Sequence, residues 1–227
     1  NGENTRTVNI DTYSNDEVTG IENVIGSSVS DNITGDTNAN ILNGKEGDDY
    51  LYGKTGLDEL YGEAGDDKLY GGNDSDTIDG GIGNDTLSGG SDDDILIGGD
   101  DGVSSISSDT LAGGTGNDTI YGGSYTGSVH ADNENDWIDY SLALKDVTIN
   151  LGSTGSEAVA AGANGYGKST DQGLDSLFGI ENVIGSEEND YITGSNDINT
   201  IYAGAGNDTI YASDANDGID IYDGYNG

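Results

Sequence analysis

The chain has no cysteine, no proline and no methionine, a single histidine, and six basic residues in 227. Each absence removes a class of answer. Without cysteine there are no disulfide staples, no thiolate metal sites and no cysteine nucleophile. One histidine leaves no room for a multi-histidine zinc site of the HExxH kind. Six Lys and Arg stand against 44 Asp and Glu, a net charge of -38. Such a surface repels phosphates rather than displacing their counterions, which excludes nucleic acid as a partner. No run of about 18 apolar residues exists, so no membrane span is expected. Hydrophobic residues make up only 32% of the chain, and that share includes 14 Tyr. Low hydrophobicity with high net charge is the usual mark of disorder. The missing methionine also means that residue 1 is not a translation start. The chain is expected to be a processed product, a fragment, or a sequence incomplete at its start.

What argues against disorder is an internal repeat. Of the acidic residues 33 are Asp, and there are 40 Gly. Stepping by nine from Gly26 reaches Gly35, Gly44, Gly53, Gly62, Gly71, Gly80, Gly89 and Gly98. The sixth place of these units reads Asp31, Asn40, Asp49, Asp58, Asp67, Asp76, Asp85 and Asp94. The eighth reads Ile33, Leu42, Leu51, Leu60, Leu69, Ile78, Leu87 and Leu96. After an interruption around 101–107 the frame resumes at Asp109 and Leu111, continues through Asp118 and Ile120, and returns at Asp136 and Ile138. A second array has Asp190, Asn199, Asp208 and Asp217 at the sixth place, with Ile192, Ile201, Ile210 and Ile219 at the eighth. The lead-in GIENVIGS at 20–27 recurs at 179–186, 159 residues on. The reading is an N-terminal β flank over 1–25, a first array over 26–139, an inter-array segment over 140–184 and a second array over 185–227.

The unit has a physical interpretation. A Gly-Gly-x-Gly-x-Asp stretch makes a turn, because glycine tolerates positive φ and close backbone approach. The remaining three residues form a short strand whose middle residue points inward. Two units make one coil of a right-handed parallel β-roll, an all-β solenoid, so residues 18 apart stack at about 4.8 Å. Asp49, Asp67 and Asp85 then share one column, and Asp58, Asp76 and Asp94 the opposite one. Stacked carboxylates repel without a counterion, and turn carbonyls add oxygens at the same gap. An all-oxygen cage suits a hard cation, and Ca²⁺ takes 6–8 such ligands. The sixth-place aspartates Asp31, Asp49, Asp58, Asp67, Asp76, Asp85, Asp94, Asp109, Asp118, Asp136, Asp190, Asp208 and Asp217 are therefore the expected metal ligands. The alternative is that they cap their own turns through Asx hydrogen bonds. One aliphatic stack buries little area against the ordering entropy, so metal binding is expected to supply the folding energy.

The stretches GGIGNDTLS at 80–88 and GGTGNDTIY at 113–121 resemble the nonapeptide of the RTX (repeats-in-toxin) family, G-G-x-G-x-D-x-U-x. The resemblance extends over roughly 26–139 and 185–220. It implies several bound Ca²⁺ ions, with carbonyls of Gly81, Gly83, Gly114, Gly116, Gly204 and Gly206 among the donors. It also implies a secreted bacterial protein that leaves by a type I channel and folds on calcium outside the cell. The pattern departs at Lys45, Lys54 and Glu63 in the second place, at Asp74 and Asp92 in the fourth, and at Asn40 and Asn199 in the sixth.

Outside the arrays, Val147, Ile149 and Leu151 alternate with polar residues and read as a half-buried strand. The segment 140–184 as a whole reads as wider coils of one continuous solenoid, with Leu174, Leu177, Ile180, Val183 and Ile184 leading back in. His130 reads as a surface residue, and no catalytic site is expected. Tyr52, Tyr61, Tyr70, Tyr121, Tyr202 and Tyr211 fall at the ninth place and are expected to form outward ladders. Trp137 is expected to project outward or to cover the inter-array junction. The resulting expectation is a calcium-binding structural module of a bacterial surface protein, either an adhesin or a self-assembling layer or filament subunit. Its partners would be calcium ions, further copies of itself joined end to end or laterally, or cell-surface glycans. The alternative is the folding and secretion module of a larger toxin or hydrolase. Ice binding ranks last, since only Thr115 with Asn117 supplies the required outward pair.

Overall fold

Successive nonamers become successive strands that alternate between two sheets. The structure, a computed structural model, describes residues 7–9, 15–17, 22–99, 107–123, 135–152, 165–195, 198–211 and 221–225. The strand Ile41–Glu46 pairs in parallel with Glu59–Ala64, which pairs with Thr77–Ile82. Between them in sequence, Tyr50–Thr55 pairs with Lys68–Asn73, and that strand with Thr86–Ser91. Leu51 lies opposite Leu69, and Leu69 opposite Leu87, so one coil is two nonamers. Among the described residues there is no helix, and the strands form one sheet of 12 and one of 10. This is the parallel β-roll that the repeat predicts.

The strands are longer than the expected three residues. Tyr50–Thr55 and its equivalents run through the seventh to ninth places and on into the first three of the next unit. The reason lies in the backbone. The first-place N–H of Gly26 donates to the Asn43 carbonyl, and the fourth-place N–H of Gly47 donates to that of Ala64. Coil-to-coil pairing therefore continues through the glycines, and the turn shrinks to places four to six.

The core is a single file of aliphatic side chains between the sheets. Ile33, Leu42, Leu51, Leu60, Leu69, Ile78, Leu87, Leu96, Leu111, Ile120, Ile138, Val183, Ile192 and Ile201 are all fully buried. Each contributes about 1.5–3 kcal/mol of burial, yet each coil holds only two of them. That is a thin core for so glycine-rich a backbone, whose ordering costs the most entropy per residue.

The junction departs from the expected wider coils. After Trp137–Asp139 the chain lays down Thr148–Asn150 at a distance from Thr119–Tyr121, leaving a gap in the 12-stranded sheet. Two later strands, Gly165–Ser169 and Gly173–Phe178, fill that gap as a hairpin. Gly165–Ser169 is antiparallel to both its neighbours, whereas Gly173–Phe178 restores the parallel sense against Thr119–Tyr121. The other sheet passes straight from Trp137–Asp139 to Asn182–Ile184 to Thr200–Ala205. Both arrays thus belong to one continuous pair of sheets. Val147, Ile149, Leu177, Ile180 and Val183 point into the core as expected, but Leu174 is exposed because it occupies the fifth, outward place of its turn.

Candidate metal centres

Every sixth-place aspartate in the described residues stands at the mouth of a turn, just before an inward aliphatic. In front of the 10-stranded sheet the backbone N–H of each donates to Oδ1 of the next coil's carboxylate. Asp31 bonds Asp49 at 2.7 Å, Asp49 bonds Asp67 at 2.7 Å, and Asp67 bonds Asp85 at 2.8 Å. Asp85 then bonds Asp109 at 2.8 Å, and Asp109 bonds Asp136 at 2.9 Å. The opposite column runs from Asn40 to Asp58 at 2.7 Å, Asp76 at 2.9 Å, Asp94 at 2.8 Å and Asp118 at 2.8 Å. In the second array Asp190 bonds Asp208 at 2.9 Å. Asp217 and His130 lie outside the described residues.

The ladder uses one carboxylate oxygen and leaves the other. Oδ2 of Asp49, Asp58, Asp67, Asp76, Asp94 and Asp118 is buried and accepts no hydrogen bond. These side chains are at most 3% exposed. Each Oδ2 packs over the first-place glycine of its own unit, for example that of Asp67 over Gly62 and that of Asp76 over Gly71. A Cβ there would occupy the space of the carboxylate, which explains the nine-residue glycine rhythm. Burial, first of all, pushes these carboxyls up despite the ladder bond. Asp67 and Asp76 rise to about 6, Asp49, Asp58 and Asp118 to about 7, and Asp94 to about 8. Like charge adds to this, as from Asp67 and Asp31 on Asp49.

A buried carboxylate oxygen with no donor costs about 1–3 kcal/mol or more, and a cation in the gap removes that cost. The donor set is oxygen throughout, which fits calcium. Among the described residues no three acidic or histidine side chains converge on a point, so an ion there would need backbone carbonyls as further ligands. The turn residues are the candidates to supply them. The second and fourth residues of these units have positive φ: Gly81 109°, Gly83 140°, Gly114 103°, Gly116 153°, Gly204 90° and Gly206 130°. The carbonyl oxygen of Gly81 lies against Gly99 of the next coil, and that of Gly116 against Gly173. The non-glycine substitutes keep the same geometry, with Lys45, Lys54, Glu63, Asp74 and Asp92 at φ 91°, 86°, 80°, 73° and 76°. A side chain there is strained, but the turn that aims the carbonyls survives.

The sequence pattern missed members of both columns. Asp118 N–H donates to Asp175 Oδ1 at 3.0 Å, so Asp175 takes the sixth place of the hairpin strand. Its Oδ2 accepts from the buried Tyr140 hydroxyl at 2.5 Å. Asp136 N–H similarly meets Glu181 Oε2 at 2.9 Å, and Asn182 Oδ1 accepts from Thr200 N–H at 2.9 Å. A signal was present, since Asp175 and Glu181 each precede an inward aliphatic by two residues, as every sixth-place Asp does. At Asp175 the phenol proton satisfies the oxygen left open elsewhere in the column. Tyr140→Phe is therefore expected to destabilise the calcium-loaded chain by about 2 kcal/mol. That corresponds to about 5 °C in a thermal melt at saturating calcium, and an unchanged melt would contradict the assignment.

On the outer faces the aromatic rows are only partly in register. Tyr52 lies opposite Tyr70, but the Tyr70 ring leans on Tyr50, at 5.2 Å between centroids. Trp137 stacks on Tyr202 at 5.2 Å and 9°, spanning the strand Asn182–Ile184 and tying the two arrays together. Tyr121 stacks on Phe178 at 4.5 Å across the edge of the hairpin insertion.

The profile of a family described as RTX calcium-binding nonapeptide repeat (4 copies) matches residues 18–51, 25–59, 43–78, 52–87, 70–102, 105–124 and 184–219. No curated protein matches the chain.

Proposed function

Because the chain belongs to the family of RTX calcium-binding nonapeptide repeats, whose repeats bind multiple Ca²⁺ ions and are typical of secreted bacterial proteins, we propose that it is a calcium-stiffened rod of a bacterial surface protein. It would serve as a segment of an adhesin or as a subunit of a self-assembling layer or filament. What supports this reading is the unbroken strand order through both arrays, which makes two repeat blocks into one rod rather than two beads. The exposed rings of Tyr50, Tyr52, Tyr191, Tyr202 and Tyr211 on the outer faces offer lateral contact to another copy. Catalysis is no part of the proposal. The buried carboxylates are committed to the axial ladder, and an acid locked between coils cannot reach a substrate.

Analytical ultracentrifugation of the calcium-loaded chain over a concentration series, followed by electron microscopy, tests the assembly. Growth into layers or filaments is expected only with calcium. A monomer at every concentration would contradict it and favour the module of a larger toxin or hydrolase.

A further inference from the structure

Two kinds of turn can be told apart by backbone geometry among the described nonamers. In the units that end at Asp49, Asp58, Asp67, Asp76, Asp94 and Asp118, the second and fourth residues all have positive φ, and Oδ2 of the aspartate has no hydrogen bond. Turn 26–31 is different. Neither Ser27 nor Val29 has positive φ, and Ser27 donates to Asp31 Oδ2 from its backbone N–H at 2.6 Å and from its hydroxyl at 3.0 Å. Turn 185–190 repeats this. Ser186 N–H reaches Asp190 Oδ2 at 2.6 Å, and its hydroxyl reaches Oδ1 at 2.7 Å.

The unit after each of these closes in the same way but with an amide. Asp36 N–H donates to Asn40 Oδ1 at 2.8 Å, and Ser195 N–H donates to Asn199 Oδ1 at 2.6 Å. In both arrays, then, the second-place N–H points at the sixth-place side chain in two successive units, an aspartate in the first and an asparagine in the second. A neutral amide can still accept that bond, whereas it brings a cation no negative charge. The four turns with this bond are also placed alike. They are the first two units of each array, directly after the shared lead-in at 20–27 and 179–186.

We propose that the hydrogen bonds from the second-place N–H to Asp31, Asn40, Asp190 and Asn199 close their turns without calcium. Each array then opens on one coil sealed by its own hydrogen bonds, and the ion-dependent coils stack on it. The inference rests on the calcium reading above and divides the sixth-place aspartates into two groups. Asp31 and Asp190 are turn caps, whereas Asp49, Asp58, Asp67, Asp76, Asp94 and Asp118 face ions. A coil that forms without an ion gives the following backbone a template with its ladder acceptors already in place. Asp49 Oδ1, for instance, is met by Asp31 N–H.

Native mass spectrometry of the full chain in calcium counts the ions, and circular dichroism gives the calcium midpoint of folding. Asp31→Asn and Asp190→Asn should each bind as many ions as the wild type, with midpoints within about twofold. Asp76→Asn should bind fewer, or need at least about tenfold more calcium to fold. Loss of ions from Asp31→Asn or Asp190→Asn, or a full count on Asp76→Asn with an unshifted calcium midpoint, would overturn the division. A wild-type chain that binds no calcium would instead overturn the reading on which the division rests.

Discussion

Adding one methyl group at Gly62 is expected to disable a calcium level and cost at least about 3 kcal/mol of stability in saturating calcium. An added Cβ would meet the Asp67 carboxylate and the Gly80 carbonyl of the next coil, both inside van der Waals contact. Neither can yield. The carboxylate is pinned by the Asp49 N–H at 2.7 Å, and the carbonyl belongs to the continuous strand pairing. φ at Gly62 is not positive, so the cost is a matter of space and not of backbone conformation. Leu57→Ala supplies the contrast, since Leu57 sits at a fifth place and is 64% exposed. It should change stability by no more than about 0.5 kcal/mol. Equal thermal melts for the two variants would mean that the close packing of carboxylate over glycine is not what holds the coil.

Chelation is expected to unfold the chain at neutral pH, and acid is expected to restore part of the β signal. The open carboxylate oxygens cost about 1–3 kcal/mol each when nothing meets them, against a usual domain stability of about 5–15 kcal/mol. The thin aliphatic file cannot absorb several such costs. The pH dependence follows from the raised carboxyls. Asp67 and Asp76 titrate at about 6 and Asp94 at about 8 in the coil, above the 3.8 of the free side chain. The calcium-free coil therefore binds more protons than the unfolded chain, and its stability falls as pH rises. The penalty is absent below about 4, grows between there and 8, and is complete above the coil values. Far-UV circular dichroism in chelator should show β structure near pH 4 and coil at pH 8. Identical spectra at the two pH values would contradict the claim that buried charge is what opposes the fold.

The roll was legible because its determinants are local and periodic. An aliphatic residue every ninth place, with glycine and aspartate at fixed offsets, sets coil size, register and column membership without reference to distant contacts. The junction was not, for an equally physical reason. Strand Gly165–Ser169 has no aliphatic file of its own, and its place is set by the Tyr140 ring packed against Gly167 and by partners far away in sequence. Asp175 falls outside the pattern because its turn carries Thr170 and Asp171 where the repeat has its first two glycines, though the acid and the inward Leu177 keep their spacing. The two kinds of turn were also hidden. Ser27 and Lys45 both replace the second glycine, and composition does not show that one points its N–H at the carboxylate while the other takes positive φ.

The most direct measurement is a crystal structure grown in calcium, with the ions located by anomalous scattering. The account predicts two rows of ions flanking the aliphatic file, each about 2.3–2.6 Å from Oδ2 of Asp49, Asp58, Asp67, Asp76, Asp94 or Asp118. Ions confined to the exposed acids Asp48, Asp66 and Asp93, with those Oδ2 atoms bonded to water, would contradict it.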